Sequence, residues 1–112
     1  METTGPVQIL AFAPDGPGLV SASRDQKLIW WDVTSGLVEN EVELGHQGHG
    51  LAITHDGQAV AVCGDDKLTV LSRTGGKRKE WSLPGPLRGV AFSPDDKHLL
   101  VAGKGGVFVL RQ

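Results

Sequence analysis

Apolar residues in this chain come in short runs divided by turn residues, without the spacing of an amphipathic helix. Gln8–Ala13, Gly18–Ser23, Lys27–Val33 and Leu37–Leu44 follow one another with Pro, Asp and Gly clusters between them. In such clusters aspartate bonds its own backbone, while glycine or proline sets the dihedrals. Short segments rich in Val, Leu and Ile read as strands. The same order returns at His49–Thr54, Gln58–Cys63, Lys67–Ser72 and Arg78–Leu83, then at Arg88–Ser93, His98–Ala102 and Gly106–Arg111.

These returns are periodic. AFAPDG (Ala11–Gly16), AITHDG (Ala52–Gly57) and AFSPDD (Ala91–Asp96) are variants of one phrase, their aspartates Asp15, Asp56 and Asp95 lying 41 and 39 residues apart. TSG at Thr34–Gly36 recurs as TGG at Thr74–Gly76, 40 residues on. Four short antiparallel strands per period describe a propeller blade. The fold class expected is all-β, with blades over residues 7–44 and 46–83 and a partial blade over 87–112. LIWWDV is continuously apolar, as suits a sheet covered on both faces. In VENEVEL, Glu39, Glu41 and Glu43 alternate with Val38, Val42 and Leu44, which predicts an outer strand with one charged face.

The stretch LVSASRDQKLIWWDVTSG (Leu19–Gly36) resembles a Trp-Asp (WD) repeat, with Trp31–Asp32 as the name-giving dipeptide. AFAPDG and AFSPDD resemble that family's usual first-strand ending, and the resemblance runs from about Val7 to Leu110. It implies a buried network of Asp, Ser/Thr, His and Trp that stiffens each blade. Asp25, Trp31 and one of Ser21 or Ser23 match in the first unit; in the second, Asp66 matches and Gly45–His46 supplies a Gly-His two residues closer to the first strand than the family's. The first unit's histidine position falls in the leading METTGP, which has none; Gly105 stands at the third unit's Asp position. The network is partial, so apolar packing is expected to supply most of the stability.

Glycine is 16 of 112 residues, about twice ordinary usage, which fits a chain full of strand junctions. Eleven Lys and Arg against thirteen Asp and Glu leave no basic footprint for nucleic acid. A single cysteine, Cys63, excludes an internal disulfide and fits a reducing, cytoplasmic setting. There is no apolar run near membrane-spanning length, so no membrane contact is expected.

Candidate chemistry is sparse. His46 and His49 stand three apart in HQGHG, with His55 and Cys63 beyond, but no CxxC or HExxH spacing accompanies them. A metal needs three or four converging ligands, and none is expected. His55 takes the place of the turn proline and reads as a solvated residue. GGKRK (Gly75–Lys79) lacks the strand–helix setting of a phosphate loop and reads as a cationic hairpin tip. Cys63 reads as a small core residue. Ser21, Ser23 and Ser93 lack a nucleophile elbow, and Asp65–Asp66 and Asp95–Asp96 fall in tight turns. No catalytic residue and no cofactor is expected, and the chain reads as not an enzyme.

Trp30 and Trp31 are neighbours in a strand and point to opposite faces. Trp31 takes the family's core position, leaving Trp30 either at an interface with another chain or buried between the first two units. Trp81, alternating with charges, is a second candidate for an interface. Gln8, His49 and Arg88 occupy equivalent places in the three units and are candidates for a channel site taking an anion or acidic segment.

Two full units and one of three strands fall short of a closed ring. Gln112 stands where the third unit's fourth strand would begin. Three arrangements would complete the ring: a homo-oligomer (dimer or trimer), the remainder of a larger propeller, or docking onto a different protein by strand addition. The function expected is a non-enzymatic protein-interaction scaffold. The resemblance implies partners across the top face or in the channel, met by loops such as Asp25–Lys27, Gly45–Gly50 and Asp65–Lys67. The alternative is a propeller with a ligand-binding or enzymatic site in the channel.

Overall fold

Strands form wherever the apolar runs predict them, and the turn clusters break them. A computed structural model describes residues 7–14, 16–73 and 76–112, and of residues 77 and 78 the backbone only. The leading METTGP, Asp15 and Thr74–Gly75 of the second Gly turn lie outside the described residues, as do the side chains of Lys77 and Arg78 in GGKRK. The first sheet is β1 (Val7–Phe12), β2 (Gly18–Ser23), β3 (Lys27–Asp32) and β4 (Leu37–Glu43). The second is β5 (Gly50–Ile53), β6 (Ala59–Cys63), β7 (Lys67–Ser72) and β8 (Lys77–Ser82). The third holds β9 (Leu87–Phe92), β10 (His98–Gly103) and β11 (Gly106–Arg111). Pairing follows chain order within each sheet and is antiparallel.

The first hairpins of the second and third sheets share one device. Thr54 Oγ1 donates to Asp56 Oδ1 (2.6 Å) and accepts from the Ala59 N–H (3.0 Å). Ser93 Oγ donates to Asp95 Oδ1 (2.6 Å) and accepts from the His98 N–H (3.0 Å). The Ser93 hydroxyl, then the Lys97 N–H, hold the Asp95 carboxyl below the ordinary carboxylate range. Blade one carries Ala13 at this place, without the hydroxyl, and its backbone N–H donates to Gly18 O (2.8 Å).

The outer strand of blade one departs from strict alternation. A bulge between Trp30 and Trp31 places Val38 opposite Trp31 and Val42 opposite Leu28. Trp31 and Leu28 belong to opposite faces, so Val38 and Val42 do not share the single apolar side that the alternation suggests. Val38 lies open, while Val42 packs into the core. One extra residue in a strand is enough to reverse every side chain beyond it.

Each sheet has a leading face, turned to the next sheet in the chain, and a trailing face. Val20, Ala22, Leu28 and Trp30 on the leading face of blade one pack with Val60, Val62 and Leu71 on the trailing face of blade two. Ala61, Cys63, Leu68 and Val70 then pack with Leu99, Val101, Phe108 and Leu110 of blade three. Strand registers make Leu28, Leu68 and Val107 equivalent, and likewise Trp30, Val70 and Val109. Leu68 and Val70 are 0% and 2% exposed, whereas Val107 and Val109 are 67% and 65% exposed. At the other end, Leu10 and Phe12 are 55% and 66% exposed. Their equivalents Val90 and Phe92 pack into the junction between blades two and three. The array is covered inside and exposes apolar side chains at both ends, although Leu19, Ile29 and Trp31 on the first blade's outer face are themselves buried.

Between blades two and three the innermost strands meet backbone to backbone. A Cβ on Gly50 would lie 2.6 Å from Cys63 Sγ and 3.1 Å from Gly89 Cα, so the approach requires glycine there. Trp30 is wholly buried between blades one and two, one of the two placements open to it, with the Arg73 guanidinium 5.1 Å above its ring. Its Nε1 has no acceptor among the described residues, yet the ring fills the junction. Trp30→Ala is expected to lower unfolding free energy by about 3–5 kcal/mol, the range for large aromatic truncations in a core. Urea unfolding measures it, and a change under 1 kcal/mol, as for an exposed surface site, would contradict the placement.

Candidate functional site

The stiffening residues of blade one act as two pairs. Trp31 Nε1 donates to Ser21 Oγ (2.9 Å) in a buried site, and Ser23 Oγ bonds Asp25 Oδ1 and also reaches Lys27 O (3.3 Å). Both serines are engaged, each with its own partner. Blade two places Val62, Gly64 and Leu71 where blade one has Ser21, Ser23 and Trp31. Asp66 therefore has no serine of its own turn to pair with, and it sits exposed at the tip. His46 enters from the preceding loop instead, its Nε2 2.8 Å from Thr69 Oγ1 and its Nδ1 2.9 Å from Gln47 O. Thr69, fully buried, stands at the Ile29 place and was not singled out by the repeat, because blade one has no hydroxyl there.

The connecting loops and second-to-third strand turns interlock at one end of the sheets. Gln47 Nε2 donates to Arg24 O (3.2 Å), and Gln8 Nε2 donates to Gln47 Oε1 (3.3 Å). His49 Nε2 is 3.0 Å from Asp65 Oδ1. His49, Asp65 and Arg88 line one cleft of about 350 Å³, floored by Pro86 and Leu87. Of the three candidate channel residues, the structure brings His49 and Arg88 together. Gln8 is tied to the neighbouring Gln47.

Elsewhere the polar residues serve the fold. His46 and His49 bond different partners, and among the described residues no three His, Cys, Asp or Glu side chains are grouped as metal ligands. His55, exposed as its turn position implies, is nevertheless engaged across the blades: Asp96 Oδ2 accepts from its backbone N–H (2.9 Å) and Oδ1 meets its Nδ1 (2.7 Å). Asp96 sits at φ 59°, where its equivalent is Gly57 at φ 73°; an aspartate in that left-handed place supplies the bridge. Trp81 is half-buried on β8, with Lys79 Nζ 5.8 Å from its ring centroid. No helix among the described residues is long and apolar enough to cross a membrane.

Residues 2–32 match the WD domain, G-beta repeat family. The whole chain superposes on part of Kuenenia stuttgartiensis hydrazine synthase, with TM-score 0.87 and 25% identity over 100% of this chain and 34% of that one. It superposes equally on the Myceliophteria thermophila Cps50 (Swd1) β-propeller domain, with TM-score 0.88 and 18% identity over 98% of this chain and 37% of that one. The chain thus spans about a third of the length of each structure.

Burial pushes the Cys63 thiol up to about 11. At pH 8 it is overwhelmingly protonated and shielded, so an aromatic disulfide reagent is expected to leave it unmodified until urea unfolds the chain. Rapid stoichiometric labelling of the native protein would contradict this.

Proposed function

With three blades of a WD-repeat β-propeller as the premise, we propose that the chain is a non-enzymatic protein-interaction scaffold. Its open end faces are closed by further blades, and its loop end meets partner proteins in a reducing, cytoplasmic setting. The observation that carries this is the pair of apolar end faces. Val107 and Val109 at one end, and Leu10 and Phe12 at the other, repeat positions that are packed between blades inside the chain. Burying such a side chain contributes roughly 1.5–3 kcal/mol, so leaving several in water favours a covering surface.

A second copy supplies a chemically matched cover. Phe12 is the counterpart of Phe92, which packs at the junction with blade two, and Leu100, Ala102, Val107 and Val109 give blade three an apolar leading face in register with Ala61, Cys63, Leu68 and Val70 of blade two. The remainder of a longer propeller would use the same faces. Head-to-tail joining predicts an asymmetric result for two single variants: Phe12→Asp and Val109→Lys each block association alone. Mixed together they form a one-to-one complex, because each retains one intact face. Native mass spectrometry reads this directly. A wild-type chain that stays monomeric at 100 micromolar would remove self-assembly and leave cover by blades of a longer propeller.

The His49, Asp65 and Arg88 cleft supports a second reading, an anion or acidic-segment site on the inner rim. The likeness to a hydrazine synthase keeps an enzymatic propeller in view, though it rests on about a third of that chain. Under this reading Arg88→Ala weakens binding of a carboxylate-rich peptide or small anion severalfold. Unchanged affinity for every anion tried would end it.

A further inference from the structure

We propose that the cleft between His49, Asp65 and Arg88 recognises a segment of a partner protein carrying an acidic and a basic side chain side by side, and not an anion alone. Such recognition rests on the cleft being a ligand site and narrows its ligand to one with both charges.

The cleft stands on a tied frame where blade two meets blade three. The Leu87 N–H is shared between Gly64 O (3.2 Å) and Asp65 O (3.1 Å), and the Lys104 N–H donates to Pro86 O (3.1 Å). The strap Gly85–Leu87 is thereby bonded to the turns of both blades. A Cβ on Gly85 would collide with Asp65 O, so this approach requires glycine. His49 is anchored by its own N–H on Cys63 O (2.7 Å). Side chains rising from such a frame meet a ligand without first ordering the backbone.

The repeat explains why Arg88 is available. Strand registers make His49 equivalent to Arg88, and Asp65 to Lys104. Blade two therefore pairs an imidazole with the carboxylate of its own turn, 3.0 Å apart, while blade three puts two cations at the same places. β9 also carries a bulge. Gly89 stands opposite Ala102 and Leu87 opposite Gly103, which makes Arg88 the extra residue. Bulges re-aim the side chain they carry. Arg88 lines the cleft, is exposed, and has no ion pair among the described residues.

Open hydrogen-bonding groups define the occupant. A carboxylate accepts, so His49 Nε2 donates to Asp65 Oδ1, and the neutral ring keeps Nδ1 as an acceptor. Neither that Nδ1 nor Asp65 Oδ2 has a partner among the described residues. The cleft thus offers one guanidinium fork and two acceptors above Pro86 and Leu87. An anion alone gains from Arg88 and loses to Asp65. An acidic side chain on Arg88 beside an ammonium on Asp65 and His49 satisfies all three groups.

Titration of the isotope-labelled full chain with three peptides, followed by amide NMR, tests this. One glycine–serine frame carries Glu-Lys, Glu-Glu or Lys-Lys at its centre. Glu-Lys is expected to shift the amides of His49, Asp65, Leu87 and Arg88, and to bind about two- to fivefold tighter than either like-charged peptide, the worth of one exposed ion pair. Asp65→Asn should abolish its advantage over Glu-Glu, and Arg88→Gln its advantage over Lys-Lys. The ranking on the wild-type chain stands whether or not either variant folds. Glu-Glu binding as tightly as Glu-Lys would overturn this occupant and leave a plain anion site. Lys-Lys equalling Glu-Lys would overturn it by removing Arg88 from recognition. No shift at those amides with any peptide at millimolar concentration would overturn the occupant and the ligand site together.

Discussion

A sheet with apolar side chains on both faces is not stable alone, and in this chain every blade is such a sheet. Continuous runs such as Leu28–Trp31 and Ala59–Cys63 send consecutive apolar residues to opposite sides, so each blade needs a neighbour before and after it. That single requirement arranges the rest. It stacks the blades, presses Gly50 against Gly89, and makes the exposure of Val107, Val109, Leu10 and Phe12 a mark of faces that no blade among the described residues covers.

Polar chemistry is displaced to the ends and rims of the stack. Within blades it appears as a buried pair, Trp31 with Ser21, and a half-buried one, His46 with Thr69, that fix side chains. Between blades it appears as clasps: Gln47 on Arg24, Arg73 on Glu39 and Trp30, His55 on Asp96. The clasps differ from junction to junction although the blades repeat. Where His49 and Asp65 give way to Arg88 and Lys104, a closed pair becomes an unpaired cation, so the surface that distinguishes one blade from the next arises at positions where the repeat is least faithful.

Strand order was legible because it depends on local pattern. The turn phrase at Ala11–Gly16, Ala52–Gly57 and Ala91–Asp96 punctuates the chain every forty or so residues, and strand ends fall within about a residue of the apolar runs. The bulge at Trp30–Trp31 was not legible: it reverses Val38 against Val42 without any glycine or proline to announce it. Nor was the engagement of His55, whose partner lies 41 residues away on the next blade; His46 stood out as a Gly-His, but its partner Thr69, 23 residues on, did not. Of the channel candidates, equivalence of position brought out His49 and Arg88, while their companion Asp65 looked like one more turn aspartate.

If covering both faces is what holds a blade, protection must fall from the middle of the stack outward. Hydrogen exchange on the chain held monomeric by dilution measures this strand by strand. The slowest amides should lie in β6 and β7, whose two faces are both packed, with β10 and β11 exchanging much faster. Equal protection of β10–β11 and β6–β7 in the monomer would contradict the claim that blade-on-blade packing is the source of stability.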